Sequence, residues 1–480
     1  MSRFLLSAAQ EEEAKQLEAK IRVAVDKEIA DLARLLVSKP EEELFGRTEF
    51  QVRDIVLRIG AQAFQEHLRE KKNGYRGSSV VCPQCQQAAD FQSYRPLVPL
   101  SILGPIALRR AYYYCHRCGG QFPWDEAVGL TPKRLTPAAE ELVTLAGTTG
   151  ESFQEAAEKL LPKLAAIRLS ESTVQRTSEA TGQRLRELLD EQKVLGGPTP
   201  WAWHKDAIGH SCAYVSIDAT GVRQQGPSGA AAEGRMPYVA MVFNPVPDLP
   251  MGHPHRLPPK ESMQARYLSG LYKLDELAVL LRRQAGQVGM NNAQQWIGIS
   301  DGGNGLENFL KTNFPGPLQS GKPLELILDF WHAADSLLKL AKTIHPSDEE
   351  QREALITSWC HTMKHEGGAR MVEELAKFAL PNSKPLARTQ HAETLGYLRN
   401  NVHRMDYPRY LANGWCIGSG AMESACKTVV AQRLKLSGMR WGEDGTDEMC
   451  HLRALYRSEP KQWELFWARK YTQVNMRSTN

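Results

Sequence analysis

The sequence predicts a multidomain α/β protein, and three observations carry that prediction. A chain of 480 residues, 42% hydrophobic and 24% charged, is long enough for about two to four domains with at least one sizeable core. Beyond residue 200, three β-type runs precede a strand, a helix, a strand and a helix, the pattern of a mixed sheet and not of a wholly parallel one. Before residue 200 the periodicity is helical, interrupted by one segment of short strands rich in tyrosine and cysteine.

The elements follow in order. Residues 8–37 place Leu17, Ile21, Val25, Ile29, Leu32 and Leu36 at three- and four-residue spacing, which predicts a helix with one buried stripe. Glu11, Glu12, Glu13, Lys15 and Lys20 fill its other face, read as solvated surface, with pairing to a second copy as the alternative. Thr48-Glu49-Phe50-Gln51 has the form of a capping box and predicts the start of a second helix, completing an N-terminal helical region over 1–78. Short strands between Val80 and Trp124 define a second region, 79–130. Helices at 140–145, 153–161 and 172–189 make a third, 131–195. It is either a helix-turn-helix variant presenting Gln175, Arg176, Thr177, Gln183 and Arg184 to a major groove, or a plain bundle.

Gly196-Gly197-Pro198-Thr199-Pro200 supports neither helix nor strand well and predicts a linker. Strands are then expected at 213–217, 238–243, 266–269, 297–300 and 324–328, with helices after the last two. Residues 346–410 have helical periodicity only, so they read as an insertion in a core made of 201–345 and 411–457. Residues 458–480 remain as a tail, and no internal repeat is visible.

Composition restricts the rest. A net charge of +4 is too small to imply nucleic acid, so local clusters must carry that argument. No run of eighteen apolar residues exists, and the N-terminus turns acidic too early for a secretory signal, so a cytoplasmic location is expected. There, nine cysteines should stay reduced. Four of them form two CxxC knuckles, Cys82/Cys85 and Cys115/Cys118, separated by 29 residues near expected hairpin turns. That spacing predicts a four-thiolate zinc site, structural because no coordination position is left open. Incidental pairs are one alternative; a redox CxxC needs a strand-helix setting that this segment lacks. Around the knuckles, Arg109, Arg110, Tyr112, Tyr113, Tyr114, His116 and Arg117 suit phosphate contact and base stacking, or else pack the ribbon's small core.

Two acids end strands: Asp218 after AYVSI and Asp301 after WIGIS. A third, Glu423, is the single acid in a stretch from 418 to 441 that also carries Lys427, Arg433, Lys435 and Arg440. Separated by 83 and 122 residues, the three can still converge on one pocket. Such a trio repels itself without a cation, and magnesium or manganese favours oxygen ligands. Two ions roughly 4 Å apart suit in-line substitution at a phosphodiester. The four basic residues then serve the DNA backbone, or form an ordinary solvated face. Glu423 reads alternatively as a first-turn acid with Ser419 as cap. Gly302-Gly303-Asn304-Gly305 lacks the GxxxxGK[ST] arrangement, and no GxSxG elbow occurs, which disfavours nucleotide-loop and acyl-transfer classes.

The segments VSIDATGV, GISDGGNGLENFL, LDFWHAADSL and IGSGAMESACKTVVAQRLKLSGMRW resemble those of bacterial insertion-sequence transposases of the ISKra type, a DDE group with a ribonuclease-H-like core. The resemblance covers most of 200–457. It implies that Asp218, Asp301 and Glu423 are the metal-binding acids and that the catalytic fold contains a helical insertion. It also implies a DNA transposase that binds the inverted repeats of its element, cuts and joins strands, and works as a dimer or larger assembly. Asp329-Phe330-Trp331-His332 is similar to the D/CxxH element of Mutator-like transposases, which would bring His332 to a scissile phosphate or a carboxylate; Asp329 also reads as a plain helix cap. The alternatives are a metal-dependent structure-specific endonuclease and a domesticated zinc-ribbon DNA-binding regulator.

Overall fold

A computed structural model describes residues 6–69, 71, 73–131, 134–247, 249, 251–256, 262–303, 305–380, 384–418, 420–459 and 461–478, with the side chains of the last helix described only to residue 470. The chain divides into two units, Met1–Ser178 with Phe466–Asn480 and Glu179–Leu465. Each combines helices with a sheet, so the protein is multidomain α/β.

In the first unit, the helix Ala8–Val37 begins at a reciprocal cap. Ser7 Oγ accepts from the Gln10 N–H at 3.3 Å, and Gln10 Oε1 accepts from the Ser7 N–H at 3.0 Å. The box expected at Thr48 does not form. Helix Arg47–Arg69 starts one residue earlier; Thr48 lies inside it and donates to Glu43 O at 2.6 Å, while Glu49 accepts the Gly46 N–H at 2.7 Å. The two helices pack together, joined by Arg58–Glu28 and Lys71–Glu13 pairs at 3.0 Å. Of the predicted apolar stripe only Val25 is fully buried, and Ile29 and Leu36 remain exposed.

Strands β1 (Ser79–Val81), β2 (Ala88–Leu97), β3 (Leu100–Ser101), β4 (Gly104–Pro105), β5 (Leu108–Cys115) and β6 (Gly119–Gln121) follow. Four of them make an antiparallel sheet ordered β1-β2-β5-β6, and β3 pairs with β4. The three expected helices come next as Pro137–Thr149, Phe153–Glu155 running on in π form to Ala165, and Glu171–Asp190. Gly147 has no Cβ to obstruct Val174 and Ser178, so the first and third of these cross closely.

The second unit holds β7 (Cys212–Ala219), β8 (Val222–Gln225), β9 (Ala231–Arg235), β10 (Tyr238–Asn244), β11 (Gln264–Gly270), β12 (Gln295–Ser300) and β13 (Glu325–Leu328). The main sheet runs β11-β10-β7-β12-β13, antiparallel across β11, β10 and β7 and parallel across β7, β12 and β13. All five expected strands are present, within two residues at each end. Every residue of β12 and the first six of β7 are buried, as central strands covered on both faces require. The β8–β9 hairpin was not expected: VRQQ and AAEGR bury only Val222 and Gln224, so no apolar alternation announces it. Helices Glu349–His365, Gly368–Lys377, Pro385–Asn401 and Tyr407–Ala412 fill 346–410 with no strand among the described residues.

The division falls within helix Glu171–Asp190, and the Gly-Pro stretch is no free linker: the Thr199 and Trp201 N–H groups bond to Gln287 O (2.8 Å) and Val288 O (2.9 Å) inside the second unit. Within the stretch read as a tail, Gln462–Ser478 forms a helix, and Trp463, Phe466 and Trp467 are buried. Among the described residues no helix is long and apolar enough to cross a membrane.

Candidate functional site

Three acids sit in one row at the carboxyl ends of the parallel strands. Ile299 pairs with Ser216, so two residues onward Asp218 and Asp301 occupy matching positions on β7 and just past β12. Ser300 pairs with Leu328, which sets Asp329 beside Asp301, and the Asp329 N–H continues the ladder to Ser300 O at 3.0 Å. The carboxyl end of a parallel sheet is where loops leave room for ligands. Asp329, 1% exposed, caps helix Phe330–Ile344 by accepting the Trp331 N–H at 3.0 Å, the role expected of it. Its other oxygen meets His332 Nδ1 at 2.7 Å.

The row is electrostatically linked. Burial raises the Asp218 carboxyl, its own Ala219 N–H (2.7 Å) opposes that, and the charge of Asp301 raises it again. His332 is raised to about 8 by its bond to Asp329, against partial burial, with added help from Asp301 and Asp218. Its folded value exceeds the ordinary 6.5, so the pair adds stability that is fully present below about pH 6.5 and lost as pH rises through about 8. Half-exposure keeps that contribution small. In an NMR titration His332 is expected to titrate near pH 8, and Asp329→Asn to return it towards 6.5. A midpoint near 6.5 in the unaltered protein rules out the ion pair.

Glu423 arrives on helix Gly420–Ala425, which packs on β7 and β10 through Met422 and Ala425 and leaves Glu423 exposed. Both ends of this segment are tied to the acid row. Upstream, Ile417 O accepts the Phe330 N–H at 2.9 Å, and a Cβ on Gly418 would come 2.6 Å from Trp331 Cδ1. Downstream, the Cys426 thiol donates to Asp218 Oδ2 at 3.6 Å. Burial pushes that thiol up, and Asp218 and Glu423 both add to the effect, so the two acids flank it. The helix turns to π form from Cys426 to Ala431, a local irregularity common at functional sites. Ser419, the cap expected for this helix, lies outside the described residues, as does Asn304.

Asp218, Asp301 and Asp329 share one end of the sheet, and Glu423 comes from a helix packed on it. Among the described residues, the four cysteines are the one group of three or more His, Cys, Asp or Glu ligand atoms lying within 4.8 Å of one another. The carboxylates of Asp218, Asp301 and Glu423 are therefore not drawn to common ligand spacing.

Of the basic residues, Lys427, Lys435 and Arg440 are exposed. Lys435 Nζ donates to Thr220 Oγ1 at 3.0 Å, two residues from Asp218, and Arg440 reaches Gly229 O at the hairpin tip (3.3 Å). Arg433 corrects the expectation: it is 1% exposed, with its guanidinium over the Trp441 ring at 4.9 Å, so it packs the interior and offers no phosphate contact. Burial lowers its pKa to about 10.

In the first unit the cysteines meet. Cys82, Cys85, Cys115 and Cys118 lie within 4.8 Å of one another, and Cys85 and Cys115 Sγ are 3.6 Å apart. Tetrahedral zinc with bonds of about 2.3 Å places sulfurs about 3.8 Å apart, so the array fits such a metal ion. Burial opposes the Cys82 thiolate, yet amides of Cys85 and Gln84 and the Gln121 Nε2 donor (2.8 Å) prevail and lower it to about 6. Cys118, hydrogen-bonded to Cys85 and beside the other thiolates, is pushed up to about 12. Four thiolates thus need a cation before all can ionise.

The surrounding aromatics divide between the two readings. Tyr113 is fully buried and donates to Gly77 O at 3.0 Å; Arg110 is buried, paired with Asp125 at 2.6 Å. Both are structural. Tyr114, His116, Arg109 and Arg117 face outward, and in the helical region so does Arg176.

No family model and no curated protein matches the chain. Sequence reasoning missed Cys426 against Asp218, and Tyr397 and Arg404 behind Asp301. Their partners lie 96 to 208 residues away, and no spacing rule spans that distance.

Proposed function

We propose that the protein is a DDE transposase of the ISKra type, which binds the ends of its own element and cuts and joins DNA strands with divalent metal. The observation that carries this reading is the matched row of Asp218 and Asp301 on adjacent parallel strands, with the Glu423 helix tied to both sides of it. The sheet order, three antiparallel strands and then two parallel ones, is consistent with a ribonuclease-H-like core, and the residues at 346–410 with its helical insertion. The Cys82, Cys85, Cys115 and Cys118 array supports a zinc ribbon.

Asp218, Asp301 and Glu423 would hold magnesium or manganese. When bound, such ions activate the attacking oxygen and stabilise the leaving one. Closure on metal and DNA would have to bring the three carboxylates nearer. His332, cationic below about pH 8, is placed to donate to a phosphate oxygen while Asp329 orients it. Trp331 supports a nucleic-acid ligand: eight of the ten tryptophans are buried and Trp124 is half-buried, but Trp331 is 62% exposed beside the acids, where a base could stack. Lys427, Lys435, Arg440, Arg176 and Arg117 contact the backbone of double-stranded DNA, and pairing of two element ends calls for a dimer or larger assembly.

Lys427→Ala or Arg440→Ala is expected to reduce the slope of log affinity against log salt by about one each. Arg433→Ala should leave that slope alone and cost about 2–5 kcal/mol of stability, as removal of a buried long side chain does. Salt-series binding and thermal melts separate the two classes. The function itself is tested with magnesium and a DNA carrying the inverted repeats that flank the coding region. Cleavage with joined product supports transposition, cleavage alone an endonuclease, and binding without either a DNA-binding regulator.

A further inference from the structure

The end of the helical insertion grips the strands that carry the acids. Tyr397 Oη donates to the backbone oxygen of Asp301 at 2.7 Å. Arg404, 1% exposed, donates from Nη1 to Ser300 Oγ at 2.9 Å and from Nη2 to Asn401 Oδ1 at 2.7 Å. Its Nε lies 3.6 Å from Glu307 Oε2, on the helix that follows the Asp301 loop. Asn401 Nδ2 closes the set by donating to Tyr397 O at 2.8 Å.

The same segment lies along β13, the last strand of the sheet. Tyr407 and Tyr410 donate to Leu328 O (3.1 Å) and Leu326 O (3.5 Å), alternate carbonyls of the free edge, and Arg409 pairs with Glu325 at 2.6 Å.

Gly302 shows how closely the loop is held. Its φ is +84°, and a Cβ there would lie 2.7 Å from Arg404 Nη2 and 2.9 Å from both Asn401 Oδ1 and Leu328 Cδ1. A buried guanidinium is tolerated only with its donors engaged; here Nη1 holds Ser300 at the strand end that leads to Asp301, while Nη2 and Nε hold Asn401 and Nε faces Glu307.

We propose that the helical insertion is a clamp on the second acid: Tyr397 and Arg404 are positioning residues that hold Asp301 in its row with Asp218. This rests on the reading of Asp301 as a metal ligand. Partners that orient a ligand without touching the metal change its affinity about 10- to 100-fold.

The test uses the full chain and the isosteric variant Tyr397→Phe, which removes only the hydroxyl. Two readouts are taken: Mn2+ affinity by electron paramagnetic resonance titration, and metal-free amide hydrogen exchange over residues 301–306. The clamp predicts Mn2+ binding at least about tenfold weaker and faster exchange in that loop, with a circular dichroism spectrum like that of the unaltered protein. Unchanged affinity and exchange overturn it; so does exchange that speeds evenly across the whole chain, the mark of a merely structural role. If the unaltered protein binds no Mn2+, the metal reading of Asp301 fails. Exchange then decides the clamp alone: faster in 301–306 sustains it, unchanged removes it.

Discussion

Asp301→Asn is expected to abolish magnesium-dependent strand cleavage, lowering its rate about a thousandfold or more, and to leave binding to DNA ends intact. The substitution keeps the shape of the side chain and an oxygen that can accept the Gly303 N–H now bonded to Asp301 Oδ1 at 3.0 Å, so the loop can keep its turn. Only the charge is lost. Charge stabilisation by a bound metal is worth several kcal/mol in the transition state, and each 1.36 kcal/mol is tenfold in rate. In the proposed function DNA binding is assigned to Lys427, Lys435 and Arg440, exposed groups that the substitution does not touch. The checks are a nicking assay and a gel-shift measurement on the same preparation. Retained turnover would take Asp301 out of the site.

Cys115→Ser is expected to release zinc and destabilise the first unit by several kcal/mol. Cys115 ends β5, is 1% exposed, and belongs to a core of Cys82, Ala89, Ala111 and Tyr113 flanked by Val80, Cys85, Phe91, Tyr94 and Cys118. A cluster that small buries too little apolar surface to hold a four-stranded sheet alone. Metal binding then becomes folding free energy, roughly 10 kcal/mol or more for a complete structural site, of which three remaining ligands keep only a part. The serine hydroxyl is a harder donor that does not ionise near neutrality, so the fourth bond is lost. Elemental analysis should show the zinc gone, and thermal unfolding should match that of the unaltered protein in a chelator. Full zinc content in the variant would refute the four-thiolate assignment.

Legibility followed the range of the interaction. Four strands of the main sheet could be read because each contains a short apolar run, and β11 (QARYLSG) only weakly, from Tyr267 and Leu268; the β8–β9 hairpin could not, since it is held by contacts outside itself. Trp441 bonds to it through the Gln225 N–H at 2.9 Å and the Arg223 carbonyl at 3.1 Å. The cap at Thr48 failed for a related reason: Glu49 and Gly46 supply the same kind of bond three residues apart, and one sequence offers more candidate caps than a helix can use. Arg433 was read as a phosphate contact from its place in a basic run, but charge type does not reveal which side of a helix faces the core when the helix changes to π form just before it.

By itself the sequence determined the alternation that makes this an α/β protein, the paired knuckles of Cys82, Cys85, Cys115 and Cys118, and the two strand-ending acids, because each depends on neighbours a few residues apart. Tertiary structure alone decided that Asp218 and Asp301 stand in one row with Asp329, that Cys426 reaches Asp218 across 208 residues, and that Tyr397 and Arg404 support the Asp301 loop from the insertion. Strand register and the docking of distant helices are set by burial summed over the whole core, and no local stretch of chain contains that sum.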